Sequence, residues 1–169
     1  TAGRLPDSLD GVSVRINDQP ASIYYVSPSQ LNVLAPDTTV DGTTQVTVTN
    51  AQGTSDPVTV AFQQLMPAFF QFSGEHVAAV RADGALIGPP GLIDGATTVP
   101  AQPGETIQLF GTGFGPVTPG ASAGSVINEP AATVNPVSVH VDATTAAVTY
   151  AGIIDGAGVA LAAFDHLER

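Results

Sequence analysis

Apolar and polar residues alternate with a period of two at several separated places along the chain. Val12, Val14 and Ile16 alternate with Ser13 and Arg15, the pattern of a strand that buries one face. The same pattern recurs at Val46-Thr47-Val48-Thr49 and at Val58-Thr59-Val60-Ala61-Phe62. In the second half it returns at Thr106-Ile107-Gln108-Leu109-Phe110, Val137-Ser138-Val139-His140-Val141 and Ala146-Ala147-Val148-Thr149-Tyr150. Turn-forming groups separate the early runs: Asn17-Asp18, Ser27-Pro28, Pro36-Asp37, Asp41-Gly42 and Gly53 to Pro57. No long stretch carries the period of an amphipathic helix. Many short strands divided by turns predict an all-β sandwich or barrel and not a βαβ fold.

An internal repeat divides the chain. Val12-Ser13-Val14-Arg15-Ile16-Asn17 aligns without a gap on Val137-Ser138-Val139-His140-Val141-Asp142, 125 positions on. The match continues through Ala21 on Ala146, Ile23 on Val148 and Tyr25 on Tyr150. A strand, a polar turn and a second strand have been used twice. The second copy is preceded by Pro103 to Gly111, and the equivalent of that stretch would fall before Thr1. The first domain is therefore expected to lack its N-terminal strands. That would leave a sheet edge for upstream sequence, another chain or a rearranged edge to cover. The expected layout is a partial domain over 1–63, an apolar junction over 64–75 and a second domain over 76–169. The junction is marked by Phe62, Pro67, Phe69, Phe70 and Phe72, more aromatic than a flexible linker.

Several motifs stand in one order: Leu5-Pro6-Asp7-Ser8-Leu9-Asp10-Gly11-Val12, then Pro20-Ala21, Tyr25-Val26-Ser27-Pro28-Ser29-Gln30-Leu31-Asn32-Val33 and Ala35-Pro36. Gly111-Thr112-Gly113-Phe114-Gly115-Pro116 and Tyr150-Ala151-Gly152 follow. Over most of Leu5 to Gly152 the chain resembles the immunoglobulin-like C-terminal module of large secreted acidobacterial proteins. The resemblance implies two tandem immunoglobulin-like β-sandwich domains, the second TIG-like, on an exported protein and without catalytic residues. The end departs from that family. Gly158 to His166 stands where members carry a Gly-x-Tyr-Gln-x-Asn-Val strand, whose first-domain counterpart here is Ser29 to Val33. A weak strand, a short helix or a disordered tail all remain open for this segment.

Charge removes several function classes. The net charge is −11, lysine is absent, and the fixed cations are Arg4, Arg15, Arg81 and Arg169. Nucleic-acid binding needs a cationic surface, and an anionic membrane surface is disfavoured for the same reason. No run approaches the roughly 18 apolar residues of a membrane helix. Cysteine is absent, which excludes disulfides, thiolate metal sites and cysteine nucleophiles. Without lysine no Lys–Asn isopeptide bond forms within the chain.

Candidate chemistry is sparse. His76, His140 and His166 form no ligand-spaced pair. Asp41-Gly42, Asp83-Gly84, Asp94-Gly95 and Asp155-Gly156 are isolated, so they read as turns before calcium ligands. Gly111 to Gly115 lacks a Walker lysine and a following helix, and its glycines suit a strand-end turn or close backbone packing. Gly120-Ala121-Ser122-Ala123-Gly124 spells the G-x-S-x-G elbow, yet it lies in a Pro/Gly/Ala/Ser loop without the strand and helix an elbow needs. Tyr24, Tyr25 and Tyr150 are possible sugar-stacking rings. The repeat equivalence of Tyr25 and Tyr150 favours a shared packing role.

These observations predict a non-enzymatic extracellular or cell-surface module, structural, adhesive or assembling, with no cofactor, metal or catalytic residue. The expected partners are proteins, including self-association through exposed strand edges and strand complementation between chains. A carbohydrate-binding module recognising polysaccharide is the alternative.

Overall fold

The computed structural model describes residues 3–37, 41–120, 122 and 124–154, and the backbone of 160–165. Among these the regular elements are all strands, as the alternation predicts. The chain forms two compact units. The first takes Thr1–Gln64 together with Ala121–Ile127, and the second takes Leu65–Gly120 and Asn128–Arg169.

In the first unit, β1 (Ser13–Ile16), β2 (Gln19–Pro20), β5 (Gly42–Asn50), β6 (Gly53–Thr54) and β7 (Val58–Phe62) make one sheet, in which β1 pairs with β2 and β5, and β5 also pairs with β6 and β7. A second layer holds β3 (Ser22–Val26) and β4 (Leu31–Leu34). Asn17 and Asp18 both take positive φ, as a two-residue hairpin turn matching strand twist requires. Asn17 also exchanges backbone hydrogen bonds with β5, donating to Gln45 O at 2.9 Å while its side-chain oxygen accepts from Gln45 N at 2.9 Å. Val14, Ile16, Ala21 and Ile23 form the core, with Leu9, Val26, Leu31, Ala35, Val46 and Val48 packed on them.

The other flank of β3 is covered by the segment around Pro6, which is paired in turn by the loop around Gly124 to Val126. Ile23 N donates to Pro6 O at 2.7 Å, Leu5 N to Gly124 O at 2.6 Å and Val126 N to Gly3 O at 2.6 Å, with an antiparallel bridge between Arg4 and Ser125. Gly124 has φ +81°, and a Cβ there would strike the Ser22 hydroxyl, so only glycine fits. Ser22 is buried and donates to the Asp7 carboxylate at 3.2 Å. The strap 121–127 lies inside the segment read from sequence as part of the second domain, and backbone pairing assigns it to the first.

The second unit has β8 (Ala68–Phe69), β9 (Gln71–Ser73), β10 (His76–Val77), β11 (Ala79–Arg81), β12 (Leu86–Ile87), β13 (Thr98–Val99), β14 (Ile107–Thr112), β15 (Val117–Thr118), β16 (Ala131–Thr133), β17 (Val139–Val141), β18 (Thr144–Ile153) and β19 (Ala160–Asp165). Its main sheet runs β13-β12-β11-β14-β19-β18-β16-β15, with β17 on β18 and β8 on β14. The aromatic stretch expected as a junction over 64–75 is built into this unit. Phe69 sits on Gly111 in register and its ring lies 6.1 Å from that of Phe114, tilted by 51°. Backbone pairing to β14 draws these rings inward.

The two units share their register. Val139 pairs with Ala146, His140 with Thr145 and Val141 with Thr144. The equivalents 125 positions earlier match, with Arg15 on Pro20, Ile16 on Gln19 and an Ala21 N–H to Val14 O bond of 3.0 Å. A bulge falls at the same step in both, between Ile23 and Tyr25 against β4 and between Val148 and Tyr150 against β19. β19 is therefore the counterpart of β4, and of the three outcomes left open for the Ala-rich tail, 160–165 is the strand.

Two substitutions probe this packing. Ile23 is 1 % exposed, and Ile23→Ala should cost about 3 kcal/mol in urea unfolding. Thr44 is 2 % exposed with a hydroxyl that finds no partner. Thr44→Val should raise stability by about 1 kcal/mol in the same assay.

Candidate functional site

A strand's backbone groups point alternately to its two sides, so each strand needs two neighbours or an edge in water. β19 has both, pairing with β18 on one side and with β14 on the other. Its counterpart β4 pairs with β3 alone among the described residues. On this edge Val33 and Leu34 are 36 % and 45 % exposed. β17 shows the reverse case: it pairs with β18 alone among the described residues, whereas its counterpart β1 pairs with both β2 and β5.

The sheet facing β3 and β4 also leaves inward-facing side chains exposed. Val60 lies opposite Thr44 and Val58 opposite Val46, and cross-strand partners share a face. Thr44 is buried and Val46 packs on the core, so both β7 valines face inward. They are nevertheless 38 % and 59 % exposed. Leu31 of β4 packs on the same core cluster as Val46 and Val48, and among the described residues β4 is the last strand of the second layer.

The bulge in β3 sets its aromatics. It puts Tyr24 and Tyr25 against one step of β4, because Ile23 pairs with Val33 and Tyr25 with Asn32. An inserted residue re-aims the side chains around it. Ile23 stays buried and Val26 half-buried, while both tyrosines turn to solvent at 64 % and 46 %. Tyr150, the repeat partner of Tyr25, is half-buried and donates its hydroxyl to Ile153 O at 2.8 Å. The packing role expected to be common to both belongs to Tyr150.

The remaining candidates stay apart. His76 and His140 are exposed on β10 and β17, with His140 Nδ1 3.2 Å from the Thr145 hydroxyl; His166 and Asp155-Gly156 lie outside the described residues. Among the described residues no three His, Asp or Glu side chains converge. The Asp83 carboxylate accepts from Ala85 N at 3.0 Å, the work of a turn, whereas the Asp41 carboxylate accepts from Gln64 N at 2.6 Å across the paired ends of β5 and β7. The Ser122 hydroxyl is exposed, 3.0 Å from that of Ser125. Gly113 has φ +78° and a Cβ on it would collide with Met66 O, which joins the two reasons given for the glycine run: a left-handed turn and close backbone approach.

Arg81 and Glu105 border an open cleft of about 300 Å³ with Ala82, Asp83 and Thr106. Arg81 Nε and Nη2 donate to Glu105 Oε1 and Oε2, each at 3.1 Å, and Nη2 also donates to Pro100 O at 2.9 Å. The fork ties β11 to the loop entering β14. The Arg81 hydrogen bonds, then the Gln102 N–H, hold the Glu105 carboxyl below its usual range.

Sequence read Val58 and Val60 only as an alternating strand and Val33 only as part of a family motif, and it did not single out Leu34. Strand pairing, and not residue identity, relates β19 to β4. β18 follows β3 by 125 positions, but Phe164 on Val148 matches Val33 on Ile23 only at 131, and the longer loop hides β19 from an ungapped comparison.

Residues 4–62 match the IPT/TIG domain model, which makes this stretch an immunoglobulin-like module. The match ends at Phe62, the last residue of β7. Comparison with curated proteins and with solved structures gave no match for the chain.

Because the folded-state pKa of Glu105 is lowered, its contribution is present above the ordinary value of 4.5 and is lost as pH falls through the folded value. Glu105→Gln should lower the melting temperature at neutral pH, and the gap from the parent should close as pH drops below 4.5. Thermal melts across that range check both statements.

Proposed function

We propose that this chain is a non-enzymatic structural and assembly module of an exported bacterial surface protein, joined to its partners by strand pairing at sheet edges. The observation that carries the reading is the edge of β4 that pairs with β3 alone among the described residues, together with the inward-facing but exposed valines of β7. Unpaired edges beside apolar surface are association sites. The immunoglobulin-like match over 4–62 supports it, since such modules commonly serve as extracellular structural or adhesive parts. The acidic, lysine-free composition supports protein partners over nucleic acid.

A second reading has an observation of its own. Tyr24 and Tyr25 are both turned outward by the bulge, and exposed aromatic rings stack on sugars. Binding on a polysaccharide panel that Tyr24→Ala weakens by about tenfold, roughly 1.4 kcal/mol, would favour a carbohydrate-binding module instead.

Light scattering over a wide concentration range tests the assembly reading. Multimers that grow with concentration are expected. A constant 17.0 kDa species would overturn self-association and leave a spacer or sugar-binding role.

A further inference from the structure

The β3–β4 hairpin of the first unit has an outward face as well as a core face. Leu31 packs on the core, and successive residues of a strand point to opposite faces, so Asn32 points outward. Tyr25 stands directly opposite Asn32 and shares that face, near enough for the two side chains to act together. The bulge leaves Tyr24 exposed beside it. The turn fixes the polar end of the face. Ser27 N donates to Gln30 O at 2.9 Å, while Ser27 Oγ accepts from Gln30 N at 3.0 Å and donates to Gln30 O at 3.2 Å. Gln30 Nε2 then donates to Asn32 Oδ1 at 2.7 Å, with both side chains exposed. That bond leaves the Asn32 Nδ2 donors and the Gln30 Oε1 acceptor turned to solvent among the described residues. The second unit repeats the bulge without these groups. Ala163 and Leu161 stand at the positions of Asn32 and Gln30, and Tyr150 commits its hydroxyl to Ile153 O.

The geometry points to a binding site for a neutral glycan chain of the cellulose type on the outward face of β3 and β4, with Tyr25 as the stacking ring and the Gln30–Asn32 amide pair bound to a vicinal diol. The site rests on the carbohydrate reading and gives it a face, a ligand class and a set of polar partners. A pyranose ring whose substituents are all equatorial offers a flat C–H surface that packs on an aromatic ring. Its neighbouring hydroxyls each donate and accept. Their complement is a donor beside an acceptor, and the bonded amide pair presents both, in Asn32 Nδ2 and Gln30 Oε1. Because the pair is held by its own bond and by the turn, binding costs it little side-chain freedom. A strand face is extended and not concave, which suits a flat ribbon-like chain over a coiled one. Tyr24, Tyr25, Gln30 and Asn32 carry no charge, and a chain of net charge −11 without lysine repels anionic glycans. A strand added beside β4 would lie in the same layer and leave this face open, so the site does not depend on what pairs with that edge.

The test titrates cellohexaose into the full 169-residue chain by calorimetry, with maltohexaose as the coiled comparison. Saturable binding of cellohexaose is expected, about tenfold tighter than that of maltohexaose. Tyr25→Ala should weaken it by about tenfold, and Tyr25→Phe, which keeps the ring, should retain it. Asn32→Asp keeps the shape and the bond from Gln30 but removes the amide donors, and should weaken binding by about fivefold. Both positions are exposed, and thermal melts matching the parent's check that the variants fold. Cellohexaose binding that Tyr25→Ala and Asn32→Asp leave unchanged overturns this site, while the carbohydrate reading survives on another surface. A loss with Tyr25→Phe as large as with Tyr25→Ala overturns the stacking role. Equal binding of the two oligosaccharides, or binding of other glycans but not of cellohexaose, overturns the ligand class alone. No binding of any glycan on a broad panel overturns both the site and the carbohydrate reading.

Discussion

Backbone hydrogen bonding across strand edges is the constraint on which the rest of this structure depends. A strand without a neighbour on one side exposes donors and acceptors that either face water or recruit another chain. In the second unit β14 and β18 enclose β19 on both sides. In the first unit β3 gains its second neighbour from Pro6, and that N-terminal segment is paired in turn by Gly124 and Val126. Only glycine fits at the contact between Gly124 and Ser22. The strap is thus a backbone solution to an edge problem, drawn from a loop distant in sequence.

The shared bulge shows how one local device has different consequences in the two units. In both it places an extra residue one step after an inward-facing aliphatic, Ile23 or Val148. In the second unit the following tyrosine anchors its hydroxyl on Ile153 O. In the first unit both tyrosines are turned outward next to the open strand. Geometry common to the repeat has been joined to a packed surface in one unit and an exposed aromatic one in the other.

The chemistry-bearing residues follow the same logic. Asp83 accepts a turn hydrogen bond, Asp41 ties the ends of β5 and β7 through Gln64 N, and Arg81 with Glu105 braces β11 against the loop before β14. These polar groups are committed to holding short strands in register, as expected where strands are too brief to be stable alone.

Sequence by itself determined the all-β class, the strands at Val46–Thr49 and Val58–Phe62, and the repeated strand-turn-strand unit, because a period of two and turn residues are local properties. It also carried the turn at Asn17-Asp18, whose positive φ values the structure supplies. The tertiary structure decided what no local pattern encodes. It gave the strap 121–127 to the first unit, took Phe69 into the second, and paired the Ala-rich 160–165 with both β14 and β18. Alanine has weak strand preference, so only its two neighbours make that segment a strand. That β4 has one partner among the described residues is likewise invisible in its own residues, since an edge is a property of a strand's neighbours.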